Sequence, residues 1–181
     1  YPGLIPFQGC RSNLPVSGAY GGSFTATYTV LGDGTTSVTS STASVCTVSG
    51  NVVSYVGVGT CTLTAHVTAG TNYLAADGTP QSVTIGKATP VITFGAAPTP
   101  TYLGGNFTVS ASTTNTDSGA LTYSYVSGPC AFVSGAMFSS TGAGACVVQA
   151  NGAATTNFNA ASQTQSVTIA KATPVITFGA A

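Results

Sequence analysis

The sequence predicts an all-β protein made of two tandem β-sandwiches, followed by the first strand of a third repeat. Its composition is the first reason. Among 181 residues there are 31 Thr, 20 Ser and 23 Gly, there is no Glu, and only 3% of residues are charged. Thr, Val, Tyr and Phe favour a pleated, half-buried surface, whereas the strong helix formers Glu, Lys and Arg are nearly missing. The composition therefore favours strands and turns over helices.

An internal repeat is the second reason. The eleven residues KATPVITFGAA occur at 87–97 and again at 171–181, which sets a period of 84 residues (171 − 87). GGSFTATYT at 21–29 matches GGNFTVSAS at 104–112, and TNYLAADGTPQSVTIGK at 71–87 matches TNFNAASQTQSVTIAK at 156–171. These matches predict repeat 1 at residues 1–86, with an atypical first strand, and repeat 2 at residues 87–170. Residues 171–181 are then the first strand of a next repeat or a donor strand.

Alternation within each repeat is the third reason. In FTATYTV, Phe24, Ala26, Tyr28 and Val30 fall on one face and threonines fall on the other. A period of two is typical of a strand with one solvated face. Turn residues interrupt the pattern every 8–12 residues or so, which gives roughly seven short strands per repeat. This size and spacing predict an immunoglobulin-like β-sandwich in each repeat.

The five cysteines bear on the compartment. Cys46 and Cys61 lie 15 residues apart, and Cys130 and Cys146 lie 16 apart, at matching places in the two repeats. We expect two disulfides, and hence an oxidising, extracellular or cell-surface location. Cys10 has no counterpart in repeat 2. It is an intermolecular thiol, or it is bonded to a part of the protein outside this sequence, or it is a buried free thiol or one lost to preparation.

The residues also carry a resemblance to a known family. The order VCTVSGNVV, then VGVGTCTLTA, NYLAA and QSVTIGKATPVITFG resembles the bacterial Ig-like repeats found in tandem in very large secreted and cell-surface proteins. The resemblance spans essentially the whole chain and is strongest over residues 44–94, whereas the first sixteen residues depart from it. It implies roles in extracellular spacing, adhesion or matrix formation, and it brings no shared catalytic site.

Several classes of function are disfavoured. Three basic residues cannot neutralise a row of phosphates, so we expect no nucleic-acid partner, and no apolar run is long enough for a membrane span. His66 is the single histidine, and simple alignment places it opposite Ala150 of repeat 2, which argues against both zinc and nucleophilic catalysis. Asp33, Asp77 and Asp117 are each isolated in Gly- or Ser-rich turns, where turn formation explains them better than a metal site. We expect no enzyme and no cofactor.

The leading interpretation is a non-catalytic stalk, spacer or filament whose partners are neighbouring repeats or copies of itself. The alternatives are a filament subunit joined by strand addition of the C-terminal segment, and an adhesin that binds a glycan or a host or cell-surface protein through turn aromatics such as Tyr73, Tyr102 and Phe158. The inter-repeat or inter-subunit strand consists of Val175, Ile176, Thr177 and Phe178. We expect it to lack a sheet unless a third repeat of a longer chain, or another subunit, supplies one.

Overall fold

The computed structural model describes residues 14–179, and within that range every regular element is a β-strand. The all-β prediction is confirmed. The chain divides into two compact units, Tyr1–Ala88 and Thr89–Ala181. The division falls within the KATP sequence that links the last strand of one repeat to the first strand of the next.

The described strands of unit 1 are β1 Ser17–Ala19, β2 Ser23–Thr25, β3 Thr36–Ser40, β4 Cys46–Ser49, β5 Val52–Tyr55, β6 Gly59–Val67, β7 Ala76–Asp77 and β8 Gln81–Gly86. Over residues 14–88 they form two sheets. One sheet has the strand order β1-β8-β6-β3, with β7 also paired to β6, and the other has the order β2-β5-β4.

The strands of unit 2 are β9 Ile92–Phe94, β10 Asn106–Thr108, β11 Ala111–Thr113, β12 Thr122–Ser127, β13 Cys130–Ser134, β14 Met137–Ser140, β15 Gly144–Gly152 and β16 Ala161–Ile169. Strands β12-β15-β16 form one sheet and β10-β14-β13 form another, and β9 pairs with β11.

The core of each unit lies between its sheets, because the alternating apolar residues of both sheets point inward. In unit 1, Val53 of one sheet and Leu63 and Val83 of the other belong to a single buried cluster. In unit 2, Phe138, Val148 and Val167 do the same. Two packed sheets around one core make each unit a β-sandwich.

The segment that precedes β2 contains β1, which pairs with β8, the last strand of unit 1, in the other sheet. Strand β1 lies parallel to β8, with Gly18 opposite Ile85. Thr101 forms the corresponding parallel bridge with Ala170 in unit 2. A parallel pairing with the last strand thus occurs in both units.

One extra residue in repeat 2 is accommodated by a β-bulge. The register of β13 against β14 shifts between Phe132 and Ser134, whereas β4 and β5 pair without interruption. The bulge accounts for a cysteine separation of 16 in repeat 2 against 15 in repeat 1. It also moves the equivalences along the next strand, β15, by one position. His66 therefore corresponds to Asn151, and the Ala150 alignment taken from the sequence is wrong.

Candidate functional site

The first copy of the repeated segment, residues 91–95, is a paired strand. Ile92, Thr93 and Phe94 of β9 lie antiparallel to Thr113, Ser112 and Ala111 of β11. The Gly95 N–H donates to the Ser110 carbonyl at 2.8 Å, and the Thr114 N–H donates to the Val91 carbonyl at 3.0 Å. This copy of the segment is thus a hydrogen-bonded strand of the second sandwich.

Side chains hold the same copy against the core. Ile92 is 7% exposed, and the Phe94 ring lies 6.5 Å from the Tyr123 ring, centroid to centroid. The Gln165 side chain reaches across to the strand, where Nε2 donates to the Gly95 carbonyl at 2.8 Å. Backbone pairing, apolar burial and one side-chain amide therefore fix the segment together.

The second copy, residues 175–179, has the same sequence and the opposite environment. The structure assigns no strand to residues 171–179, and Val175, Ile176 and Phe178 are 88%, 85% and 99% exposed. Fully burying an Ile or Phe side chain contributes about 1.5–3 kcal/mol. The chain thus presents three exposed apolar side chains, whereas in the first copy Ile92 is buried, Phe94 is half-buried and Val91 is 61% exposed. We name residues 175–179 the C-terminal segment.

The four repeat cysteines form two intra-unit disulfides. Cys46 of β4 is bonded to Cys61 of β6, and Cys130 of β13 is bonded to Cys146 of β15. In each unit the bond joins the two sheets across the core, and Cys46, Cys61 and Cys146 are fully buried. The fifth cysteine, Cys10, lies outside the described residues, so its role as an intermolecular thiol stays a prediction.

The turn aspartates of the two repeats tie loops together. The Asp33 carboxylate accepts hydrogen bonds from the backbone N–H groups of Thr71 and Asn72, each at 3.0 Å, and from Asn72 Nδ2 at 3.1 Å. In unit 2, Asp117 accepts from the N–H of Asn157 at 2.8 Å and from its Nδ2 at 3.1 Å. The equivalent bonds in both repeats give these two carboxylates a loop-fixing role. Among residues 14–179, no group of three or more His, Cys, Asp or Glu side chains is placed to hold a metal ion.

Strand pairing brings Thr39 and Asp77 to either side of His66. The Thr39 hydroxyl lies 2.8 Å from His66 Nε2, and Asp77 Oδ1 lies 2.6 Å from Nδ1. Nothing in the sequence spacing points to this group, because the three residues meet only through the β3-β6 and β6-β7 registers. The order hydroxyl, imidazole, carboxylate is that of a nucleophilic triad, so its chemistry has to be weighed.

A comparison with unit 2 favours a structural role for this group. In repeat 2 the equivalent residues are Ser124 and Asn151, and Asn151 Nδ2 makes the same cross-strand bond to Ser124 Oγ at 3.2 Å. Both units therefore contain a side-chain hydrogen bond between these two strands, made by an imidazole in unit 1 and by an amide in unit 2.

The aromatic residues considered for ligand binding are not equally available. Tyr73 and Tyr102 are partly exposed, but Phe158 is buried at 7% exposure. A ligand surface that depends on Phe158 is therefore excluded, which removes one of the three aromatics from the adhesin alternative.

Comparison with known proteins adds little. No protein-family model matches the chain, and no curated protein matches it. Among solved structures it is similar to fibronectin(III)-like modules of Clostridium thermocellum CbhA, at 12% identity and a TM-score of 0.35, over 90% of this chain and 94% of that one. A likeness of this strength supports no conclusion about function. Within the described residues, no helix has the length and apolar character needed to cross a membrane.

Proposed function

We propose that the chain is a non-catalytic structural repeat protein of an extracellular or cell-surface fibre, in which it serves as stalk, spacer or filament. The observation that carries the proposal is the contrast between the two copies of VITFG. One copy is a strand of a sandwich, and the other is an exposed apolar segment of identical sequence. A segment of this kind is complete only when a further sandwich adds it to a sheet, either in the same polypeptide or in another.

Two further properties suit an exposed fibre. Each sandwich is cross-linked by a disulfide that joins its sheets, which favours an oxidising compartment. Only 3% of residues are charged, so the strand edges lack the Lys and Glu that ordinarily prevent edge-to-edge association. Edges of this kind are safest where neighbouring modules cover them.

The adhesin alternative has weaker support, because Phe158 is buried. We therefore do not propose a glycan or protein ligand.

Immunogold electron microscopy of the intact source organism tests the proposal. Antibodies against the purified chain are expected to label extended material outside the cell at regular intervals along its length. Label confined to the cell interior, or scattered without fibres, would overturn the assignment. Pre-immune serum, and antibody absorbed with the purified chain, are the controls.

A further inference from the structure

We propose that unit 2 carries a self-association surface, formed by Tyr125, Val126, Phe132 and Val133, and that it packs against the same surface of a second copy of this chain. This inference rests on the proposed structural function, and it names the surface through which neighbouring chains meet. We name these four residues the arch surface.

The arch surface lies where the chain passes from one sheet of unit 2 to the other. Residues 128–129 join β12 to β13, and each of these strands is the outermost one of its sheet among the described residues. The Tyr125 hydroxyl donates to the Gly128 carbonyl at 3.0 Å, and the Phe132 ring lies 5.7 Å from the Phe138 ring, centroid to centroid. The four side chains therefore belong to the two arms of a single turn.

Two β-bulges shape this side of the sandwich. Val126 and Val133 each lie at a bulge, because the registers of β12 against β15 and of β13 against β14 both shift there. A bulge twists an edge strand away from regular pairing, so these edges are poorly suited to adding a further strand. They offer side chains instead, and all four residues of the arch surface are 45–47% exposed.

Repeat 1 indicates that the fold does not need these apolar side chains. By strand register, Ser40 takes the place of Tyr125. The bulge residues Val126 and Val133 have no counterpart, since β3 pairs with β6 and β4 pairs with β5 without interruption. Unit 1 forms its sandwich without equivalents of three of the four side chains, so packing within a unit does not explain them.

The charge of unit 2 favours a second copy over a charged partner. From residue 89 onward the only charged side chains are those of Asp117 and Lys171, one of each sign. Two copies therefore meet without net electrostatic repulsion, whereas a strongly acidic or basic partner finds no complementary charge. Contact through the same surface on both copies also gives the closed two-fold arrangement that is commonest among soluble oligomers.

The size of the arch surface predicts a weak contact. Four half-exposed side chains offer on the order of 300 Å² of apolar area per copy, against roughly 800 Å² per partner in a stable protein–protein interface. A single pair of chains should therefore associate only at high protein concentration. In a fibre the contact recurs with every copy, so weak contacts between neighbouring fibres act together.

Nuclear magnetic resonance of the full 181-residue chain tests the surface directly. A Cys10→Ser background prevents disulfide-linked dimers. The amide signals of residues 125–126 and 132–133 are expected to shift as the protein concentration rises to about 1 mM, with a Kd of roughly 0.1–1 mM. The signals of Val52 and Val56, two valines of unit 1 that are each 44% exposed, should stay fixed.

Matched substitutions separate the arch surface from exposed valines in general. Val126→Thr combined with Val133→Thr keeps both branched side chains and removes apolar area, so association should weaken about tenfold. Val52→Thr combined with Val56→Thr makes the same change at equally exposed positions of unit 1 and should leave association unchanged. The melting temperature of each variant checks that it is folded.

Three results would overturn the proposal. They are signals that stay fixed up to about 1 mM, equal weakening by the two pairs of substitutions, and concentration-dependent shifts confined to the C-terminal segment. Each of them leaves the proposed fibre function intact, since immunogold labelling of native material tests it separately.

Discussion

The disulfides give a mechanical prediction that bears on the proposed fibre function. When one sandwich is unfolded by force with its disulfide intact, the loop that the bond closes cannot extend. In repeat 1 the loop spans a separation of 15 residues, and the bonded Cα atoms lie 5.6 Å apart. In repeat 2 the separation is 16 residues and the Cα distance is 5.7 Å.

The chain length that each disulfide prevents from extending follows from chain geometry. An extended residue spans about 3.4 Å, so the loop of repeat 1 withholds about 45 Å and that of repeat 2 about 49 Å once the bonded distance is subtracted. Reduction should lengthen both unfolding steps by these amounts. In the chain-entropy account, each bond also contributes on the order of 3 kcal/mol to folding, so the reduced sandwiches should unfold at lower force.

Single-molecule force spectroscopy measures both quantities, with handles at the two ends of the chain. The double variant Cys46→Ala, Cys61→Ala should lengthen one of the two steps and leave the other at its oxidised length, so that repeat 2 acts as an internal control. Step lengths that are identical before and after reduction would show that the cysteines are not bonded as described, and the reasoning would fail.

Three other perturbations follow from the described contacts. Asp33→Ala removes an acceptor of three hydrogen bonds and should lower the free energy of unfolding of repeat 1, measured in urea, by about 1–2 kcal/mol. Asp77→Ala removes an exposed partner of His66 and should lower it by less than about 1 kcal/mol, so equal losses would contradict the loop-fixing role. Burial raises the pKa of Tyr55 above its ordinary value of 10.0, so the unfolded chain loses this proton at a lower pH than the folded chain does. The free energy of unfolding should therefore hold up to about pH 10 and then fall as pH rises through the folded pKa. Tyr55→Phe should reduce that fall, as measured by urea titrations. With only 3% charged residues, the melting temperature should hardly change between pH 4 and pH 8 by calorimetry, and a large shift there would reveal ionic contributions that the described residues do not account for.

Local patterns were enough to predict much of the fold. Alternation in FTATYTV and QSVTI predicts strands because side chains of a strand point to opposite faces in turn. Duplicated cysteines at similar spacing predict one covalent link per repeat, and the structure pairs them so. These features depend on neighbours along the chain or on duplication of a pattern, both of which can be read directly.

Features that depend on register could not be predicted. The bulge at Phe132–Ser134 shifts repeat 2 by one residue, so simple alignment matches His66 with Ala150 although the sheets match it with Asn151. The contacts of His66 with Thr39 and Asp77 could not be predicted either, because three separate strands supply the residues. The burial of Phe158 is likewise a property of packing.

The two copies of VITFG separate what the sequence predicts from what the tertiary structure adds. By itself the sequence determined that the segment is duplicated, apolar at alternate positions and suited to a strand. The sequence also predicts that residues 175–178 lack a sheet of their own. What the tertiary structure decided is the partner of the first copy, since residues 92–94 pair with β11, and the degree of exposure of the second, since Val175, Ile176 and Phe178 are 88%, 85% and 99% exposed. The physical reason is that a strand's hydrogen bonds and burial belong to its partner sheet as much as to itself.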